Sequence, residues 1–275
     1  MYFVLLLLIL WFGRLRPGKG GYPMAKTVAI VNQKGGVGKT TTCVNLAASL
    51  TALGSRVLVC DFDPQGNATS GFGVDKNCSP NIYDVLLGAA AAEKAVIHTR
   101  WADVLPSNKS LSGATVELIG VERREYRLRD SLVQLKEGYD YVFIDCPPSL
   151  ELLTLDALCA ADTLLVPVQC EYYALEGLSD LLYTVRLAKR SLNPTLELEG
   201  VLLTMYDGRT NLSMQVAEEV KRHFPGKVFA SVIPRNVSEA PSHGKPVSEY
   251  DRLSRGAEAY EAAAKEFLTR NQKKK

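Results

Sequence analysis

Short apolar runs alternate with longer amphipathic stretches along most of this chain. The runs last five or six residues, which is typical of strands buried on both faces. The predicted strands are Thr27–Asn32, Arg56–Asp61, Tyr141–Asp145, Thr163–Val168, Glu199–Thr204 and Val228–Ile233. Helical spacing of apolar residues falls near 39–53, 123–137, 151–160, 174–192, 212–223 and 253–270. This alternation predicts an α/β fold with a mostly parallel, doubly wound sheet flanked by helices.

A glycine-rich segment follows the first predicted strand, where an open parallel sheet places its ligands. Glycines allow successive backbone N–H groups to turn toward a phosphate chain, and the next helix presents its N-terminus to the same phosphates. The segment therefore predicts a P-loop NTPase site. Its nucleotide-binding residues are Lys34, Gly35, Gly36, Val37, Gly38, Lys39, Thr40 and Thr41.

Three carboxylates lie at the end of a predicted strand or just after it. Asp145 ends the Tyr141–Asp145 run, which is the position of a carboxylate that holds Mg²⁺ in phosphoryl-transfer sites. Asp61 and Asp63 lie two residues apart, so both would point toward the phosphate loop while the chain stays extended. Lys39 is expected at the β- and γ-phosphates and the Thr40 hydroxyl on the metal. The predicted ligands are thus ATP and Mg²⁺.

Several segments together resemble one family. They are Lys34 ahead of the usual Lys39, residues 61–67 (Asp-Phe-Asp-Pro-Gln-Gly-Asn), residues 141–149 (Tyr-Val-Phe-Ile-Asp-Cys-Pro-Pro-Ser), residues 233–236 (Ile-Pro-Arg-Asn) and residues 238–246. From about Met24 almost to the C-terminus, the chain is similar to the ParA/Soj partition ATPases, which carry the deviant Walker A motif of the MinD/ParA superfamily.

The resemblance implies roles for the loop and its carboxylates. Lys34 would reach the phosphates of ATP held by a facing subunit, as an arginine finger does, so that ATP is sandwiched in a homodimer. Asp63 would orient the attacking water, and Asp61 would support either the metal or the switch loop. Catalysis would rest on Lys34, Lys39 and Asp63, and the metal on Thr40, Asp61 and Asp145.

The resemblance also implies an adenine site. The end of the strand Val201–Thr204 and the turn that begins at Pro234 flank the base in the family. This correspondence points to Met205, Asp207, Pro234 and Asn236. An apolar Met and Pro can sandwich the ring while polar neighbours read its edge.

Non-specific binding of duplex DNA and a ParB/Spo0J-like partner that stimulates slow hydrolysis are implied in the same way. Arg209 matches a DNA-contacting arginine of the family. Family members commonly carry Arg-Leu between two segments that are joined directly here, Val237 to Ser238, so a second such arginine is absent. One lost phosphate contact weakens binding without necessarily abolishing it. Candidates for compensation are Lys189, Arg190, Lys221, Arg222 and Lys245.

The net charge of +2 is distributed unevenly. Residues 24–185 carry 13 basic and 19 acidic groups, whereas residues 186–275 carry 16 and 11. A basic C-terminal part suits a surface that binds a polyanion, but it equally suits an ordinary solvated surface.

Residues 1–23 differ from the rest of the chain. Their apolar run of twelve residues is shorter than the roughly 20 that a membrane-spanning helix needs, and its basic residues follow the run, unlike those of a secretory signal. We expect an extension outside a single ATPase domain at 24–275. The six cysteines lack C-x-x-C spacing, which indicates reduced thiols of a cytoplasmic protein. The resemblance to DNA-binding partition ATPases implies association with the nucleoid.

Two alternative functions stay open on the sequence. A MinD-like ATPase that cycles on and off a membrane would need an amphipathic terminal anchor, and the apolar run in residues 1–23 is the feature that favours it. An ATP-driven reductase would need paired cysteines for a cluster between subunits.

Overall fold

The structure is a computed structural model that describes residues 24–149, 151–172, 174–235 and 244–272. The predictions made for residues 1–23, for Asn236 and for the junction between Val237 and Ser238 lie outside these ranges.

Eight strands form one sheet in the order β3-β4-β2-β5-β1-β6-β7-β8. They are β1 Lys26–Ile30, β2 Val57–Asp61, β3 Ile97–His98, β4 Asp103–Leu105, β5 Tyr141–Asp145, β6 Thr163–Gln169, β7 Glu197–Tyr206 and β8 Val228–Pro234. All pairs are parallel except β3 with β4. The predicted mostly parallel sheet is therefore confirmed.

Helices cover both faces of the sheet. They are α1 Lys39–Ala52, α2 Asn67–Gly71, α3 Ile82–Leu86, α4 Ala92–Ala95, α5 Leu111–Glu117, α6 Arg127–Leu132, α7 Leu152–Ala160, α8 Ala174–Ser191, α9 Asn211–His223, α10 Val247–Tyr250 and α11 Arg255–Gln272. In β1, Val28 and Ile30 pack into the core under α1 and α11, whereas Ala29, and Val31 just after the strand, pack into the core under α3 to α9. This alternation explains why the strands read as continuous apolar runs.

The chain between β2 and β5 differs most from the sequence-based prediction. The helix predicted at 123–137 is instead a 3₁₀ turn at Arg124–Tyr126, then α6, then a second 3₁₀ turn at Leu135–Gly138. The last turn is tight because the carbonyl of Lys136 accepts a hydrogen bond from the Ala25 amide (3.0 Å), which draws the chain toward the start of β1. The elements from α2 to α5, with β3 and β4, were not predicted, since runs of two to seven residues carry little periodicity.

A buried polar network holds the last helix on the sheet. The side chain of Glu199, at the start of β7, is fully buried and pairs with the Lys26 ammonium. Asn271 of α11 donates from Nδ2 to Glu199 Oε1 (3.0 Å) and accepts from Lys26 Nζ (2.5 Å). These bonds join three distant parts of the chain, namely β1, β7 and α11. Removing one member of such a buried pair would leave the other charge uncompensated, which is strongly destabilising.

Helix α7 carries a carboxylate in an unfavourable position. Asp156 is fully buried, and neither of its side-chain oxygens has a hydrogen-bond partner within the described ranges. The pKa of Asp156 is raised to about 8, mainly by burial and to a smaller extent by Glu125, while Arg124 opposes the shift. An isolated buried carboxylate favours its protonated form.

We expect Asp156→Asn to stabilise the protein at alkaline pH. The folded pKa lies above the unfolded value, so the wild type loses stability as pH rises from about 4 toward 8, and the amide does not ionise. The free energy of unfolding should exceed that of the wild type by about 1–3 kcal/mol at pH 8 and by less at pH 5.5, in urea titrations. Asp251→Asn, at an exposed position, serves as the control. Equal differences at both pH values would contradict the assignment.

Candidate functional site

The glycine-rich loop connects β1 to α1 at the carboxyl edge of the sheet. Gly36 and Gly38 have φ of +74° and +88°, a region that L side chains adopt only with strain. Gly38 immediately precedes the first helical residue, Lys39. The Thr204 hydroxyl, near the end of β7, donates to the carbonyl of Val37 (2.8 Å). This bond connects the loop to a strand that lies two positions from β1 in the sheet. The backbone amides that open α1 are thus available for phosphate oxygens.

Lys39 is held inside this loop. Its side chain is largely buried, and Nζ donates to the carbonyl of Lys34 at 3.0 Å. Burial lowers the pKa of Lys39, while Asp145 and Asp63 act in the opposite direction. A buried ammonium beside carboxylates is well placed to meet phosphate charge.

Asp145 lies at the end of β5, fully buried next to the start of α1. Neither carboxylate oxygen has a hydrogen-bond partner of standard geometry among the described residues, although the nearby Thr40 hydroxyl lowers its pKa. Burial dominates and raises the pKa of Asp145 well above its usual range, with a further contribution from Asp61. A cation would relieve this position, so Thr40 and Asp145 fit Mg²⁺, a hard cation with oxygen ligands.

Asp61 and Asp63 make different contacts. β2 ends at Asp61, so the strand alternation assumed for the pair does not continue to Asp63. Asp61 Oδ2 accepts from the amide and the hydroxyl of Thr69, both at 2.7 Å, and burial raises its pKa to about 6. Asp63 instead lines a cavity next to the glycine-rich loop, which Lys39 also lines. Asp61 is not among the residues that line this cavity, and its contact with Thr69 fits the switch-loop alternative. Its place on the metal stays a prediction.

These carboxylates do not form a complete metal site by themselves. Within the described ranges, no group of three or more His, Cys, Asp or Glu side chains is arranged to hold a metal ion. That finding agrees with a Mg²⁺ shell completed by phosphate oxygens and water. All six cysteines are free thiols, and five of them are buried.

Lys34 occupies a different environment from Lys39. It is not among the residues that line the cavity, and its ammonium forms an ion pair with Glu171, just before α8. Its side chain remains 39% exposed. The preceding Gln33 donates from Nε2 to Asp180 Oδ2 (3.1 Å), so two consecutive loop residues rest on the start of α8. The two lysines are therefore separated into one buried and one outward position.

A cavity of about 490 Å³ joins the loop to the ends of β7 and β8. Its predicted lining residues are Gly35, Gly36, Gly38, Lys39, Thr40, Thr41, Asp63, Met205 and Pro234. Sequence reasoning missed Gln65, Asn67, Pro148, Thr204, Ile233, Arg235 and Tyr260. Most of these lie within or beside the recognised segments. No sequence signal pointed to Tyr260, which belongs to α11. Its hydroxyl lies 3.2 Å from the hydroxyl of Thr42 in α1.

The base end of the cavity agrees with the expectation only in part. Met205 and Pro234 line it. The backbone of Met205 has φ of +50°, which is unusual for a non-glycine residue and is found most often at functional sites. Asp207 does not line it, because its carboxylate is turned toward Arg209. A larger and more open groove of about 670 Å³ lies between α4 and α6, and none of the recognised segments reaches it.

The basic residues considered as compensation divide between two edges of the sheet. Lys189 and Arg190 end α8, and Lys221 and Arg222 end α9. Arg209 lies before the start of α9, whose 13 residues span roughly 20 Å. These four residues therefore do not share a face with Arg209. Lys245 differs, since the adjacent Gly244 packs against Gly73 beside α2.

Comparisons with known proteins agree with one another. Residues 25–198 match the AAA domain family. The chain is 57% identical over 248 residues to the sporulation initiation inhibitor protein Soj of Bacillus subtilis (strain 168), covering 88% of this chain and 98% of that protein. It is 51% identical over 261 residues to the chromosome partitioning protein ParA of Myxococcus xanthus (strain DK1622), covering 93% and 92%.

A solved structure with similar geometry contains a nucleotide. Cobyrinic acid a,c-diamide synthase from Mycobacterium smegmatis, crystallised with ADP and magnesium, has a TM-score of 0.81 and 38% identity, covering 92% of this chain and 97% of that one. With identity above one half across nearly all of its length, a two-lysine glycine loop and the matching sheet, this chain belongs to the ParA/Soj family of chromosome-partitioning ATPases.

Proposed function

We propose that this protein is an ATP-dependent dimerising switch that binds duplex DNA non-specifically and partitions a chromosome or plasmid with a ParB-like partner. The observation that carries the proposal is the division of labour between two lysines of one loop. Lys39 is buried at the phosphate position, whereas Lys34 is outward and unused by the cavity of its own subunit. A second cation held outside the site suits a nucleotide bound between two copies.

Within one subunit, the residues of the cavity bind and orient ATP. The amides that open α1 and the Lys39 ammonium hold the phosphates, and Thr40 and Asp145 hold Mg²⁺. The metal, when bound, neutralises phosphate charge and fixes the orientation of the phosphates. Met205 and Pro234 pack on the base. The ADP and magnesium of the M. smegmatis enzyme support this assignment.

Hydrolysis then depends on positioning. Asp63 lines the cavity while its Oδ1 accepts a hydrogen bond from the Gln65 amide (2.9 Å), so one carboxylate oxygen is fixed and the group can orient a water. Phosphoryl transfer requires mainly positioning and charge neutralisation. A single subunit lacks the second cation, so we infer weak activity alone and stimulation by the partner protein in the dimer.

Dimerisation would move Lys34 from one charged partner to another. In the described fold it is paired with Glu171, and it must leave this pair to reach a facing triphosphate. A partly exposed surface pair of this kind contributes about 0–1 kcal/mol, so the exchange has a low cost.

DNA binding is assigned to the carboxyl edge beside the nucleotide. The Arg209 side chain is 90% exposed there. A cation adjacent to the nucleotide cavity can sense the nucleotide state, which is what a DNA carrier requires. Association with the nucleoid follows from this proposal.

The membrane-cycling alternative has less support. Among the described residues, no helix is long and apolar enough to cross a membrane. The apolar side chains of α11, including Tyr260 and Phe267, are buried within the fold, so this helix has no apolar face left for a membrane among them. The apolar run in residues 1–23 lies outside the described ranges.

We expect Asp145→Asn to raise the melting temperature without ligand and to reduce the gain that Mg²⁺ adds to ADP. The raised pKa of Asp145 means that the wild type loses stability as pH rises, and the neutral amide removes this loss at pH 7.5. The change should reach several degrees, since about 1 kcal/mol shifts Tm by about 2–4 °C in a domain of this size. Scanning calorimetry with ADP, with and without Mg²⁺, tests it against Asp251→Asn. An unaltered Mg²⁺ increment would exclude Asp145 as a ligand.

Lys34→Ala is expected to keep the protein monomeric with a non-hydrolysable ATP analogue, because the facing phosphates lose their second cation. Wild type and Lys189→Ala, which alters an exposed lysine at the opposite edge, should dimerise. Sedimentation velocity measures the state, and fluorescence titration measures nucleotide affinity separately. A Lys34→Ala dimer as stable as that of the wild type would refute the trans role.

Duplex DNA of unrelated sequence should bind tightly with ATP, weakly with ADP, and with strong dependence on salt. Arg209→Ala should lower the slope of log K against log salt by about 0.9 for each lost phosphate contact. Arg190→Ala removes the same charge at the opposite edge and is the matched control. Absence of binding in every nucleotide state would reject the DNA-carrier proposal and turn attention to residues 1–23.

A further inference from the structure

Asp207, Arg209 and Arg235 meet where β7 and β8 end. Tyr206 of β7 pairs with Pro234 of β8 in parallel register, so Asp207 and Arg235 leave neighbouring strands side by side. Arg209, two residues beyond Asp207, folds back onto its carboxylate. Two arginines thus flank one aspartate at the edge that carries the nucleotide cavity.

Asp207 holds Arg209 from three directions. Arg209 donates from Nε to Asp207 Oδ1 (2.9 Å) and from Nη2 to Oδ2 (2.8 Å), and its backbone amide donates to Oδ1 (3.1 Å). The Asp207 carbonyl accepts from the amide (3.1 Å) and hydroxyl (3.0 Å) of Thr210, which caps α9. The hydrogen bonds from Arg209 lower the pKa of Asp207 to about 2. The carboxylate therefore stays charged, and the guanidinium stays oriented.

This pairing leaves donors of Arg209 facing outward. A guanidinium has five N–H groups, and the carboxylate accepts one from Nε and one from Nη2. The remaining three belong to a side chain that is 90% exposed. A flexible arginine must lose rotamer freedom when it binds a phosphate, whereas one already held by a carboxylate has lost it beforehand.

Arg235 adds a second cation on the other side of Asp207. It is exposed and lines the nucleotide cavity, and its charge contributes to the low pKa of Asp207. The three groups carry a net charge of +1. They place positive charge beside the bound nucleotide without leaving two arginines to repel each other directly.

We propose that Asp207 is a positioning residue that presents Arg209 to a phosphate of duplex DNA, and that Arg235 supplies an adjacent phosphate contact. The inference rests on the DNA binding proposed above. It gives Asp207 a role at the DNA surface in place of the base-reading role expected from sequence, and it identifies a second basic contact on the same edge as Arg209.

Asp207→Asn distinguishes positioning of Arg209 from an effect of net charge, because the two predict opposite changes in DNA affinity. Removal of a negative charge beside DNA should strengthen binding if only net charge matters. Loss of the bidentate carboxylate should weaken binding by about two- to tenfold if Arg209 needs its support. In an Arg209→Ala background Asp207 has nothing to position, so the substitution should then be neutral or favourable.

The experiment measures binding of a fluorescent 30-base-pair duplex to the full chain at a saturating ATP analogue across a salt series. Saturation is checked for every variant, since Arg235 borders the cavity. The set comprises the wild type, Asp207→Asn, Arg209→Ala, their double variant, Arg235→Ala and Asp251→Asn, which removes a negative charge near the start of α11. Asp207→Glu, which keeps the carboxylate, should recover part of the loss, and circular dichroism verifies folding.

Weaker binding by Asp207→Asn alone, no further loss in the double variant, and a salt slope lowered by about 0.9 per contact in Arg235→Ala would support the inference. Unchanged or tighter binding by Asp207→Asn, with Arg209→Ala still defective, would overturn the positioning role while leaving the DNA proposal intact. An unchanged slope in Arg235→Ala would remove that residue. If the wild type binds no DNA, or Arg209→Ala binds as the wild type does, the proposed function itself fails.

Discussion

Buried charge at the carboxyl edge of the sheet is the constraint on which the rest of this structure depends. Asp61 and Asp145 are fully buried, and Asp63 and Lys39 nearly so, at the ends of adjacent strands and the loop above them. Charges removed from water are unfavourable unless paired or satisfied. Thr69 satisfies Asp61, but Asp145 has no hydrogen-bond partner of standard geometry within the described ranges, and its raised pKa reflects this. The ionised form of Asp145 is therefore unfavourable without a ligand, and a bound cation would stabilise it.

The surrounding elements keep this edge rigid. Thr204 ties the end of β7 to the phosphate loop, Tyr260 ties α11 to α1, and the Glu199 network anchors the far end of α11 to β1. Asn45 of α1 accepts the amide of Val247 (2.7 Å) and so holds the chain beyond the base end of the cavity. Thr204 connects the phosphate loop directly to β7, the strand that Asp207 and Arg209 follow.

Two outward arginine and lysine positions give the proposed switch its external contacts. The Lys34 ammonium forms an ion pair with Glu171, and the Arg209 guanidinium forms one with Asp207, so a carboxylate fixes the position of each cation. The consequences differ with geometry. The single contact of Lys34 can be exchanged for a phosphate, whereas the bidentate grip on Arg209 leaves outward N–H groups and need not be broken. The Lys34–Glu171 pair suits a lysine that changes partner, and the Arg209–Asp207 pair suits an arginine that is held in place for a phosphate.

The sequence by itself determined the α/β class, the phosphate loop and the order of the main strands, because these depend on local periodicity and on glycines with positive φ. It also determined the family, since the recognised segments extend over most of the chain. Only the tertiary structure separated Asp61 from Asp63, turned Asp207 away from the base, and brought Tyr260 to the loop helix. It alone placed Lys189, Arg190, Lys221 and Arg222 at the edge opposite Arg209. Side-chain direction after a strand ends, and contacts between residues more than 200 positions apart, follow from packing and register, which no local pattern encodes.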